Sequence, residues 1–97
     1  MIYIYHPEAR VEYLDAVSFH KQIYRECGDR FVAEFDMAMQ SVCENPFSYP
    51  VIEYGTRRRL MKKFKYKIVY IIVNNTVVIL AFMHQKRKPD YWHYRVK

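Results

Sequence analysis

The sequence predicts an α+β fold of a single domain in the order β-α-α-β-β-β: an N-terminal strand, an αα-hairpin, then a three-stranded antiparallel meander with a short C-terminal helical turn or tail. Three observations predict it. Residues 7–44 place apolar side chains at helical spacing in two stretches, three short runs rich in branched and aromatic residues follow after position 56, and Asn74-Asn75 divides the last two runs. The chain has 97 residues, of which 52% are hydrophobic and 17 aromatic (ten Tyr, six Phe, one Trp), enough to bury one core. No linker, repeat or low-complexity tract divides it, so a single domain over 1–97 is expected.

Each element has a local cause. Residues 2–5, IYIY, suit a strand, and Pro7 fits the first turn of a helix, where its missing N–H costs nothing. That helix is expected over about 7–26, with Ala9, Tyr13, Ala16, Val17, His20 and Tyr24 on the apolar side and Glu12, Asp15, Gln22, Arg25 and Glu26 opposite. His20 on this stripe reads as a hydrogen-bonded packing residue. Gly28 is expected to break the helix and Asp29 to cap a second, striped by Phe31, Phe35, Ala38, Met39 and Val42 and stopped by ENP at 44–46. Strands are expected over 57–64, 67–73 and 76–84, the last two closed by Asn74-Asn75, because asparagine tolerates the left-handed backbone of a tight hairpin.

Charge is divided sharply between the halves. Residues 1–56 carry four Lys/Arg against nine Asp/Glu, whereas residues 57–97 carry twelve against one. RRRLMKKFKYK at 57–67 alone holds seven cations. Such a field points to an anionic partner, nucleic acid or acidic protein, against the simpler reading of a solvated sheet face. On a strand, Arg57, Arg59, Met61 and Lys63 would share one face and Arg58, Leu60, Lys62 and Phe64 the other, which suits a sheet edge. The central strands are apolar on both faces, so helices should cover one side and a partner chain the other.

Cys27 and Cys43 lie at no metal-ligand spacing and read as buried free thiols; no metal and no cofactor is expected. The N-terminus is too short in apolar residues for a signal peptide, and no run approaches a membrane span, so a cytoplasmic protein without a membrane partner is expected.

The strings RRRLMKKFKYKIVY and VVILAFMHQKRKPDYW resemble the ending of the RelE/ParE toxin superfamily of bacterial type II toxin-antitoxin systems. The likeness also includes HPEA at the first helix, Gly28 with Phe31, Asn45-Pro46, and the closing pattern His84-x-x-Arg87-x-Pro89-x-Tyr91-Trp92, its most specific part. The resemblance implies a growth-inhibiting toxin neutralised by a cognate acidic antitoxin, in a toxin-antitoxin hetero-oligomer or with a homodimer. Its closing motif looks ParE-like, implying a non-enzymatic poison of DNA gyrase. The alternative is a RelE-like enzyme that cuts messenger RNA on the ribosome, and a further alternative is a non-toxic nucleic-acid-binding module.

RNA cleavage through a 2′-hydroxyl needs a base, an acid and cations for the scissile phosphate. Arg59, Lys62, Lys63, Lys65 and Arg87 are the candidate cations, with Tyr91, His93 or Tyr94 to move a proton or stack on a base. A binding surface for target or antitoxin would draw on Arg57, Arg59, Lys63, His84, Arg87, Tyr91, Trp92, Tyr94 and Arg95, residue types suited to interfaces. Two simpler readings stand beside these: His84 fixing the tail by a hydrogen bond, and Tyr91 with Trp92 capping the core.

Overall fold

The computed structural model describes residues 1–96, with Pro89 described by its backbone only. Its elements are β1 (Ile2–Tyr5), α1 (Pro7–Ile23), α2 (Arg25–Glu44), β2 (Arg57–Leu60), β3 (Tyr66–Val73) and β4 (Thr76–His84). Short 3₁₀ segments lie at Glu53–Gly55 and Pro89–Val96. The α+β class and the β-α-α-β-β-β order are as the sequence predicts. One sheet runs in the order β1-β4-β3-β2. β1 lies parallel to β4, and the other two pairings are antiparallel. Asn74 and Asn75 both take positive φ, 49° and 61°, as the two-residue turn requires.

The junction of the helices corrects the sequence reading. α1 ends at Ile23 because Tyr24 is extended (φ −167°, ψ 156°), and Gly28 lies within the first turn of α2 instead of breaking α1. The role of Gly28 is close approach: a Cβ there would stand 2.2 Å from Lys21 Cγ and 3.1 Å from Lys21 Cα. Asp29 is therefore a helix residue, not a cap. At the other end of α1, His6 Nδ1 accepts the Glu8 N–H at 3.2 Å, and Pro7 occupies the first turn.

Between helices and sheet, Phe31, Phe35, Met39 and Val42 of α2 meet Ile68, Tyr70, Val77, Ile79 and Phe82 of the central strands. Tyr13 lies 4.1 Å from Phe35 between ring centroids, and His20 stacks on Phe31 at 4.3 Å. His20 bonds the Ala16 carbonyl through Nδ1 at 2.7 Å, the packing role expected of it. A second core fills the opposite face with Val69, Leu80, Ala81, Met83 and Trp92. Its cover comes in part from the chain itself, correcting the expectation that a partner alone would provide it. The 3₁₀ segment at 89–96 turns Trp92 back onto the sheet.

A bulge makes the two cores compatible. Val69 pairs with Ala81 but Tyr70 with Ile79, leaving Leu80 as the extra residue. Leu80 and Ala81 consequently both face the second core, and alternation resumes at Phe82.

Burial of tyrosines in the helix-side core has a pH consequence. Desolvation pushes the phenols of Tyr13 and Tyr70 up to about 12, with Asp36 adding to the shift at Tyr13 and the Arg57 charge opposing it at Tyr70. The folded state thus holds these protons more tightly than the unfolded chain, whose phenols titrate near 10. Stability from this source is complete below about pH 10 and is lost as pH rises toward 12. Denaturant melts at pH 8, 10 and 12 should show a midpoint that is level over the first interval and falls over the second; a level midpoint throughout would remove these tyrosines from the stability balance.

Candidate functional site

β2 is shorter than expected, and this decides where its cations go. The strand ends at Leu60, so the alternation assumed for 57–64 stops there. Within it, Arg57 donates from Nη1 to the carbonyls of Phe47 (3.1 Å) and Tyr49 (2.8 Å). Arg59 donates from Nε to Ser41 Oγ at 3.3 Å and from Nη1 to the Leu60 carbonyl, with its guanidinium 5.5 Å from the Tyr49 ring. Both arginines are therefore engaged in holding the 47–49 loop and α2 to the sheet edge.

After Leu60 the chain sorts its side chains by turning. Met61 returns to the core, and Phe64 packs edge-on against His20 and Phe31 at 5.1 Å. Lys62, Lys63 and Lys65 are left exposed. Glu34 of α2 fixes this turn, its Oε2 accepting the backbone N–H groups of Lys62 (3.2 Å) and Lys63 (3.1 Å). Lys65 takes a left-handed backbone, φ 55°. Beside the turn a groove of about 520 Å³ is lined by apolar Ala33, Met37 and Phe64 and by Arg30, Lys62 and Lys63.

The segment after β4 is brought to the same end of the sheet by Gln85. Its N–H bonds the Lys65 carbonyl at 2.9 Å, and its Nε2 donates to the carbonyls of Met61 (3.0 Å) and Tyr66 (3.2 Å). His84 Nδ1 accepts the Lys86 N–H at 3.2 Å, a bond within the turn that leaves β4. Lys62, Lys63, Lys65, Lys86, Arg87 and Lys88, all exposed, thus share one end of the molecule. Among the described residues none of the six has a carboxylate within ion-pair distance.

Arg87 is the most constrained of them. Its guanidinium lies 3.7 Å from the centre of the Tyr91 ring, a cation–π stack. Arg95 lies 5.1 Å from the same ring and is itself anchored, with Nη1 and Nη2 each 3.0 Å from a Glu12 oxygen and Nη1 2.9 Å from the Leu80 carbonyl. Burial would lower the Arg95 pKa, but the hydrogen bonds to Glu12 and Tyr94 and the Glu12 charge more than offset it, so it is held above the usual range. The Tyr91 phenol is raised, first by burial and then by the nearby Glu12 charge, with Arg87 acting against both.

A family model described as the ParE toxin of type II toxin-antitoxin systems, parDE, matches residues 3–89. The chain belongs to the ParE toxin family. A search of curated proteins found no match. The family is one of toxins held by a cognate antitoxin. No helix among the described residues is long and apolar enough to cross a membrane.

The match spans both cationic segments and stops at residue 89, so the Tyr91-Trp92 end of the closing pattern lies beyond it. Of the expected site residues of this ParE-family chain, Lys62, Lys63, Lys65, His84 and Arg87 come together. Arg57 lies at the helix-side edge, Arg59 lines the groove beside Lys62 and Lys63, and Tyr91, Trp92, Tyr94 and Arg95 belong to the tail. Trp92 is 0% and Arg95 7% exposed, so both are covered by the rest of the chain in this fold. Tyr94 is exposed and bonds Glu8, and His93 lies 3.1 Å from Glu53. Glu34 and Gln85, which shape the cationic end, carried no signal in the sequence, since their partners are backbone groups far along the chain.

Proposed function

We propose that this ParE-family toxin acts on DNA gyrase and is neutralised by an acidic antitoxin. The observation carrying this reading is the match to the ParE family over residues 3–89. The geometry adds support. Messenger-RNA cleavage would need proton-transfer groups among the cations, yet the Tyr91 phenol is raised with its ring under Arg87, and His84 Nδ1 already accepts the Lys86 N–H. A binding surface asks only for placed charge. For the antitoxin, the groove beside α2 combines apolar and cationic lining, which suits a segment with both apolar and acidic side chains.

Induction without antitoxin should inhibit supercoiling or give gyrase-dependent DNA breaks, with messenger RNA intact in a translating extract. Codon-phased cuts in that extract would replace this reading with the ribosomal one. Within the same assay Arg87→Ala should weaken inhibition by about thirtyfold, the roughly 2 kcal/mol of a hot-spot arginine, and Lys86→Ala far less. The stack on Tyr91 contributes about 0.5–1 kcal/mol to the fold, so Arg87→Ala should melt close to the wild type. Full potency of Arg87→Ala would remove Arg87 from the functional surface.

A further inference from the structure

We propose that the cationic end of the sheet is a site for the phosphate backbone of duplex DNA. It rests on the gyrase reading for its biological occasion, because a toxin acting on a DNA-bound enzyme meets that polymer there. The binding itself stands on the geometry.

Six exposed cations from two segments 20 residues apart converge, and among the described residues none of their side chains is in an ion pair. Their mutual repulsion opposes the fold, so a solvated surface would be better served by spreading them. The fold instead holds them in place. Gln85 ties the two segments through three bonds to backbone carbonyls, one from its N–H and two from its side-chain amide, Glu34 holds the amides of Lys62 and Lys63, and Arg87 rests on Tyr91.

The surroundings select the kind of polyanion. A protein interface is built round a buried apolar or aromatic centre; the apolar lining on this side, Ala33, Met37 and Phe64, is confined to the groove beside α2, and Lys65, Lys86, Arg87 and Lys88 lie outside it. Single strands are gripped by aromatic platforms that stack unpaired bases. Here Phe64 packs edge-on against His20 and Phe31, Arg87 covers the Tyr91 face and Trp92 is buried. Cations on a rigid frame with no exposed Phe, Tyr or Trp ring beside them suit a duplex, whose phosphates are presented and whose bases are already stacked.

The test uses the full chain and a fluorescein-labelled 20-base-pair duplex of arbitrary sequence, read by anisotropy from 50 to 200 mM salt, with no gyrase present. Each neutralised phosphate contributes a slope of about −0.9 to log K against log salt, so engagement of five or six cations predicts a slope of about −4.5 to −5.4. The triple variant Lys63→Gln/Lys86→Gln/Lys88→Gln should reduce that slope by about 3 units. The triple variant Arg10→Gln/Lys21→Gln/Arg25→Gln removes the same net charge elsewhere and should leave the slope unchanged. Circular dichroism melts verify that both variants fold. Equal losses in the two variants would mean attraction by net charge and overturn the site, as would no binding at 50 mM salt. Tighter binding of a 20-nucleotide single-stranded RNA or DNA, or of an acidic peptide, would overturn the duplex assignment. If the expected slopes appear while supercoiling is unaffected, the gyrase reading falls and the DNA site stands.

Discussion

Arg95→Ala is expected to cost about 3–5 kcal/mol of folding stability, because it strands a largely buried carboxylate at Glu12. Arg95 and Glu12 do more than pair their charges. β1 pairs with β4 only as far as Tyr5 opposite Ile79, after which the chain turns into α1 at Pro7. The β4 edge beyond that point has lost its neighbour. His6 N–H takes the Ile79 carbonyl at 2.8 Å, Glu12 Oε1 accepts the Phe82 N–H at 3.0 Å, and Arg95 Nη1 donates to the Leu80 carbonyl at 2.9 Å. Glu12 and Arg95 together therefore continue the role of β1 with side chains. A simple buried pair can be replaced by apolar residues at little or no loss. Here Glu12→Leu/Arg95→Met would leave an N–H and a C=O unbonded, at roughly 1–3 kcal/mol each, and should stay well below the wild type. Urea melts of the single and double variants decide the matter; recovery of wild-type stability by the double variant would reduce Glu12–Arg95 to an ordinary ion pair. Trp92, the sole tryptophan in the sequence, supplies a second readout: its emission should shift to the red in Arg95→Ala if the tail leaves the sheet.

This sheet edge also shows where the sequence could be read and where it could not. The β3–β4 hairpin was legible because its causes are local: apolar runs on either side and two asparagines suited to positive φ. The α2 stripe was legible for the same reason. Glu12 was assigned to the solvent side because helical spacing separates it from the apolar residues, and nothing local reveals that Arg95, 83 positions later, comes to meet it. Gly28 misled in another way. Its lack of a side chain was read as conformational freedom, whereas the fold uses it to let Lys21 pass close. For the candidate site, the abundance of cations was plain, but their sorting was not. Arg57 and Arg59 are bound at the edge while Lys62, Lys63 and Lys65 are left free, because the strand ends four residues earlier than its composition suggests.

Trp92→Ala should cost about 3–5 kcal/mol, the range for truncating a core aromatic, and lower Tm by at least about 12 °C in a domain of this size. The indole is the largest side chain of the second core, where it covers Val69, Leu80, Ala81 and Met83 on the face away from the helices. Those residues are apolar on that face because the tail returns to it, so the loss should open the sheet and not merely leave a void. Its Nε1–H has no hydrogen-bond partner among the described residues. The contribution is therefore that of an apolar surface, and Trp92→Phe, which keeps most of that surface and removes an unmet donor, should lose less than half as much. Thermal melts by circular dichroism give the order of the three proteins, and binding of a hydrophobic dye below Tm should rise in Trp92→Ala alone. Equal losses in the alanine and phenylalanine variants would mean that the indole N–H matters after all. An alanine variant that melts with the wild type would mean that the tail does not hold the second core.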